Sequence, residues 1–150
     1  QKIWNDLDLK VDLVLPYKFK TKGEVISECK NRMLMESLIF GSTSCGKYLR
    51  HGLRHCGVCL PCLVRRSSFI RAGINDTTEH GYCIEAITKN SSQDVAAAAM
   101  ACVQIQNKGI ERFVGSGVAF SDPAERDDYI GVISRGFDEI RALLMEHGVL

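Results

Sequence analysis

Acidic side chains are missing from the middle of this 150-residue chain. None occurs between Glu36 and Asp76, while Lys47, Arg50, Arg54, Arg65, Arg66 and Arg71 all fall in that gap. A segment of one charge sign cannot neutralise itself, so the distribution points to an anionic counterpart at the centre. The net charge of +1 hides this asymmetry, because residues 121–139 hold Asp122, Glu125, Asp127, Asp128, Asp138 and Glu139 against Arg126 and Arg135. Apolar runs of the length that spans a bilayer are also missing, which excludes a membrane-spanning helix. No signal-peptide pattern is present, so the expected setting is cytoplasmic. Aromatic residues are scarce at 7%, and only Tyr48 and Phe69 lie between Ser44 and Arg71. That shortage weighs against a surface that stacks nucleic-acid bases. No internal repeat or low-complexity tract is found. The chain opens on Gln1-Lys2 rather than methionine and is expected to be a piece of something longer.

What the chain does have is cysteine, and the cysteines are bunched. Of seven, Cys45, Cys56, Cys59 and Cys62 lie within the basic gap, the last three as C-x2-C-x2-C. An odd, clustered set suits metal binding in a reducing compartment better than a disulfide framework. Structural zinc takes four tetrahedral N or S ligands, and C-x2-C presents two sulfurs at the right spacing. Cys45, Cys56, Cys59 and Cys62 are therefore the expected zinc ligands, with Gly57 serving the tight turn. Four thiolates around Zn(II) leave a formal charge of about −2, which nearby arginines would offset. An iron–sulfur centre is the rival, because C-x2-C-x2-C also begins ferredoxin motifs, although Leu63 and Val64 follow where cysteine and proline should. His51 and His55 read as solvated loop residues. Gly41 to Lys47 approximates the phosphate-binding G-x4-G-K, but Tyr48 stands where its hydroxyl residue belongs. Lys22, Arg65 and Arg66 are the candidate anion contacts: Arg grips phosphate or carboxylate in a plane, and Lys22 opens a helix.

The coarse structure expected is mainly α-helical, with one or two short strands. Val11 to Leu15, stopped by Pro16, has the apolar pattern of a buried strand. Thr21 and Glu24 form a capping box that starts a helix. Val25, Ile26, Cys29, Met33, Leu34 and Leu38 would line its buried face up to Gly41. A second helix should run from Leu60, with Pro61 in its first turn, to Gly73, burying Leu60, Leu63, Val64 and Ile70. Ser91 or Ser92 should cap a third through Gln106, whose four alanines suggest close packing. Phe113 to Phe120 is ambiguous between a glycine-broken strand and a loop. Asp122, Pro123 and Glu125 should start a last helix that buries Ile130, Ile133, Phe137, Ile140 and Leu144 and ends at Gly148. Gly131 and Gly136 would mark a kink or a close backbone approach within it.

Three stretches carry a resemblance. They are Ser44-Cys45 followed by C-G-x-C-x2-C and a basic helix, the upstream PYKFKTKGEVISECKN, and the downstream AGINDTTEHGY. Residues 11–82 thereby resemble the QueC family, the 7-cyano-7-deazaguanine synthases, and look closer still to the QueC-like proteins of Qat anti-phage systems. The resemblance implies an α/β fold of the adenine-nucleotide-hydrolase, PP-loop type. Residues 1–20 would end its nucleotide-binding core, 21–90 would carry a helix and the four-cysteine zinc site, and 91–150 would form a C-terminal helical region. It implies ATP with Mg2+ as cofactors, activation of a 7-deazaguanine carboxylate as an adenylate, and reaction with ammonia through an amide to a nitrile. Lys22 and Arg65 would then lie toward the nucleotide or base, and other defence proteins would be partners. The family's SGG-x-DS ATP loop is not found in these 150 residues, so no catalytic residue is assigned. The rival reading is a non-enzymatic zinc module that binds nucleic acid through its basic patch.

Overall fold

The computed structural model describes residues 2–115 and 122–150. Its helices are α1 (Lys2–Asp6), α2 (Lys22–Ser27), α3 (Arg32–Ile39), α4 (Leu60–Ala72), α5 (Gln93–Lys108), α6 (Ile110–Val114) and α7 (Arg126–Glu146). Among the described residues, 3-10 turns at Leu49–His51 and Pro123–Glu125 interrupt the connections. Among the described residues there is no strand, only an isolated parallel bridge between His55 and Tyr82.

Helix α4 is the axis, packing against both α2 and α7. Pro61 sits in its first turn, where a missing N–H costs nothing. Gly73 ends it at φ 62°, donating its N–H back to the last turn. Two cores flank this axis. The larger joins Leu63 of α4 and Ile87 to Val95, Ala98 and Cys102 of α5 and to Ile140, Leu143 and Leu144 of α7. Fully burying one Leu or Val of this set contributes about 1.5–3 kcal/mol. The smaller core packs Ile26, Phe69 and Ala72 against Met35, Ile39, Phe40 and Ile74.

Local signals set several boundaries as expected. Thr21 accepts from the Glu24 N–H while the Glu24 carboxylate accepts from the Thr21 N–H, a complete capping box. Ser92 caps α5 through the Val95 N–H. Asp122 caps at Ala124, but a 3-10 turn intervenes before α7 proper begins at Arg126.

Other expectations fail. Residues 11–15 form no strand, and Val11, Leu13, Val14 and Leu15 are exposed. Apolar alternation becomes a strand only beside another strand, and none exists among the described residues. The helix expected from Thr21 to Gly41 breaks after Ser27, and Asn31 caps a new one through the Leu34 N–H. That break resets the helical phase, so Met33, Leu34 and Leu38 face solvent while Met35, Ile39 and Phe40 pack inward. Leu60 and Ile70 of α4 are likewise exposed, and Arg65, Ser67, Ser68 and Phe69 take the inner face. The alanine run does not pack tightly throughout. Ala97, Ala98 and Ala101 line an apolar cleft of about 440 Å3 against Phe137 and Ile140 of α7. Helix α7 runs unbroken through Gly131 and Gly136. The close approach is at Gly23 instead, where a Cβ would meet Arg71 Cγ and Glu139 Oε1 at 2.7 Å. Residues 110–114 are helical rather than strand or loop, and the rest of the ambiguous stretch, 116–120, lies outside the described residues.

Candidate metal centre

Four sulfurs converge where the loop after α3 meets the turn that starts α4. Cys45 comes from the loop after α3, Cys56 from the turn before α4, Cys59 from the N-cap of α4 and Cys62 from its first turn. All four are buried, with their sulfurs within 4.8 Å of one another. Cys45 lies 3.8 Å from Cys59 and Cys56 lies 3.9 Å from Cys62, sulfur to sulfur. A tetrahedral ion with bonds of about 2.3 Å spans sulfurs about 3.8 Å apart, so one zinc-sized ion fits this set. A multi-iron cluster gives each thiolate its own iron and needs a wider set.

The backbone is shaped for thiolates. The Cys56 and Lys47 amides donate to Cys45 Sγ, and the Cys59 amide donates to Cys56 Sγ, each at 3.3 Å. Gly57, at φ 88°, is obligatory, since a Cβ there would lie 2.3 Å from the Ile84 carbonyl. That contact exists because residues 82–84 run alongside the turn: Cys83 donates to the His55 carbonyl and Ile84 to that of Cys56. Burial pushes the Cys59 and Cys62 thiols above their ordinary range. Burial also opposes ionisation of Cys45, but its amide donors prevail and hold it below that range. A cation that displaces the protons would satisfy all four at once. Cys29, Cys83 and Cys102 stand apart from this cluster.

The flanking histidines divide. His51 is exposed as expected, but His55 is 3% exposed and lies edge-on to Tyr48 and Tyr82. Its Nδ1 has no hydrogen-bond partner among the described residues. Burial, reinforced by Arg65, depresses its pKa. The bridge to residue 82 draws this histidine inward, and nothing in local sequence announced it. The near-P-loop is spent on the same centre: Cys45 is buried among the thiols, while Lys47 points its side chain to solvent.

The three candidate anion contacts occupy different settings. Arg65 is 1% exposed and lies over the Phe69 ring. Its guanidinium donates to Thr78 Oγ1, to the Ser42 carbonyl and hydroxyl, and to the Ile39 and Phe40 carbonyls. Arg66 donates to the Gly57 and Glu85 carbonyls and lies over Tyr82. It lines a cavity of about 320 Å3 with Asp76, Glu85 and His147. Lys22 reaches the Ser44 hydroxyl at 3.2 Å and lines the apolar α5–α7 cleft. Asp76 was not foreseen. It accepts from Thr78 and from the Tyr82 hydroxyl, and so ties the 75–82 loop beneath Arg65. Its sequence signal was only a turn-rich loop. Of the two aromatics in the basic stretch, Phe69 is buried and Tyr48 is half-buried against His55.

Comparison with known proteins gives one informative likeness. The chain is 38% identical over 71 residues to the 7-cyano-7-deazaguanine synthase of Agrobacterium fabrum. The matched stretch is 47% of this chain and 27% of that protein, so the chain spans about a quarter of its relative's length. No protein-family model and no solved structure matches. No helix among the described residues is long and apolar enough to cross a membrane.

Proposed function

We propose that this chain is the metal-bearing C-terminal region of a QueC-like, ATP-dependent enzyme that acts on a 7-deazaguanine carboxylate. The observation that carries the reading is the buried four-thiol set, in a chain similar over 71 residues to a 7-cyano-7-deazaguanine synthase. Cys45, Cys56, Cys59 and Cys62 hold Zn2+, which ties the loop after α3 to the start of α4. The metal is scaffolding: all four ligand positions are protein sulfurs, which leaves none open for substrate. ATP and Mg2+ belong with an SGG-x-DS loop carried outside these 150 residues, in a PP-loop α/β core to which residues 1–20 connect. Lys22 and Arg66 lie toward the nucleotide or base. Lys22 is the more accessible of them, and Arg65 acts by fixing the 39–44 loop. Carboxylate activation as an adenylate precedes attack by ammonia, giving the amide and then the nitrile. In the QatC branch of Qat defence systems the attacking amine belongs to a partner protein. Reduced thiols at the centre suit the cytoplasm.

The nucleic-acid alternative has less support, since Phe69 is buried and Tyr48 is half-buried against His55. Metal analysis and ATP turnover test the proposal together. The chain should be colourless with one zinc and should not hydrolyse ATP. A longer form carrying the SGG-x-DS loop should consume ATP only with a 7-deazaguanine carboxylate. A brown, iron-bearing chain, or ATP turnover by the chain alone, would refute it.

A further inference from the structure

Arg65 is buried to 1% exposure, yet every acceptor of its guanidinium is a carbonyl or a hydroxyl. Asp76 is one hydroxyl removed, behind Thr78. Lys22 shows the same lack. Its ammonium lies 3.2 Å from Ser44 Oγ, which Arg65 Nη1 approaches at 3.5 Å. Among the described residues neither cation forms an ion pair with a carboxylate. Asp94 and Glu139 border the same cleft as Lys22, but Asp94 accepts from the Leu60 N–H at the start of α4 and Glu139 accepts from the Thr21 hydroxyl. Two cations converging on one hydroxyl repel, and an uncompensated buried guanidinium is costly.

The missing anion is next door. Ser44, which holds the Lys22 ammonium, immediately precedes Cys45, and Arg65 lies three residues beyond Cys62 on α4. A divalent ion held by four thiolates carries a formal charge of about −2. One lysine and one arginine supply the opposite amount. We infer that Lys22 and Arg65 are the counter-charges of the metal–thiolate centre, with Ser44 joining them. The inference rests on the metal reading above and adds a role that the ligand set alone does not contain. Lys22 touches neither ion nor sulfur, yet its charge sets how tightly the ion is held. Loading the metal in turn anchors the first residue of α2.

Zinc affinity of the full chain, measured by competition with a chromophoric chelator, tests this. Lys22→Met should weaken zinc binding about tenfold, or about 1.4 kcal/mol. Lys22→Glu should weaken it about a hundredfold. Lys22→Arg, which keeps the charge, should stay near the wild type. The Co(II) absorption spectrum should be the same in all four, because the ligands do not change. If Lys22→Met binds zinc as tightly as the wild type, the inference is wrong. It is equally wrong if Lys22→Arg loses as much affinity as Lys22→Met, since geometry rather than charge would then be responsible. A wild-type chain that binds neither zinc nor cobalt would overturn the metal reading itself, a result distinct from the other two.

Discussion

The thiol knuckle and the α5–α7 layer pack against the same helix, α4, but they are held by opposite means. In the α5–α7 layer, capped helices bury Val95, Ala98, Ile140, Leu143 and Leu144, and the stabilisation is ordinary apolar burial. In the knuckle the buried groups include four thiols, a histidine and an arginine as well as Val58, and the backbone turns through 3-10 geometry and left-handed glycines. Burying such groups costs free energy unless each finds its partner. The layer should therefore lose stability in proportion to the methylenes removed, whereas the knuckle should fail as a unit when one partner goes.

The largest effect is expected from Cys62→Ser. Zinc content should fall from one per chain to almost none, and hydrogen exchange should show the knuckle unprotected while α7 stays protected. Structural zinc is worth about 10–16 kcal/mol in small zinc-binding peptides, far more than a turn of this size can replace. Arg65→Met comes next. It strands the Ile39, Phe40 and Ser42 carbonyls, and urea unfolding should report a loss of about 3–5 kcal/mol. Leu144→Ala, in the other region, should cost about 2–4 kcal/mol by the same measurement while leaving one zinc per chain. If it releases the metal, the two regions are not separable.

The smallest effect concerns Glu139 on α7. Burial raises its carboxyl pKa despite hydrogen bonds from Thr21 Oγ1 and the Gly23 N–H. A folded-state pKa above the unfolded value adds stability at low pH, and that contribution disappears as pH rises through the folded value. Glu139→Gln should therefore flatten the fall in the urea midpoint between mildly acidic and neutral pH. An unchanged slope would show that this carboxyl does not titrate with folding.

Chain-local chemistry was legible at particular residues. Thr21 with Glu24, Ser92, Pro61 and Gly73 act within a few residues of where they stand, so their cap roles could be read directly. The convergence of Cys45, Cys56, Cys59 and Cys62 was legible for a related reason, because three of them lie within a single short turn whose spacing suits one ion. Burial was less legible. Met33 and Leu38 were expected inside, but the break at residues 28–31 rotated α3 and exposed them. His55 was expected in solvent, and the bridge to Tyr82 buried it. Both outcomes depend on contacts with chain tens of residues away.

The sequence alone thus determined a basic, acid-free centre, a cluster of four cysteines within it and the caps at Thr21, Pro61, Gly73 and Ser92. Short-range forces decide those features, and every participant lies nearby in the chain. Only the tertiary structure decided what the cations do. Arg65 could have faced a ligand, and instead its donors meet the 39–42 segment and Thr78. Lys22 comes to rest beside Ser44, across a separation of 22 residues. Long side chains reach whichever acceptor or counter-charge packing brings within a few ångströms, and no local pattern encodes that meeting.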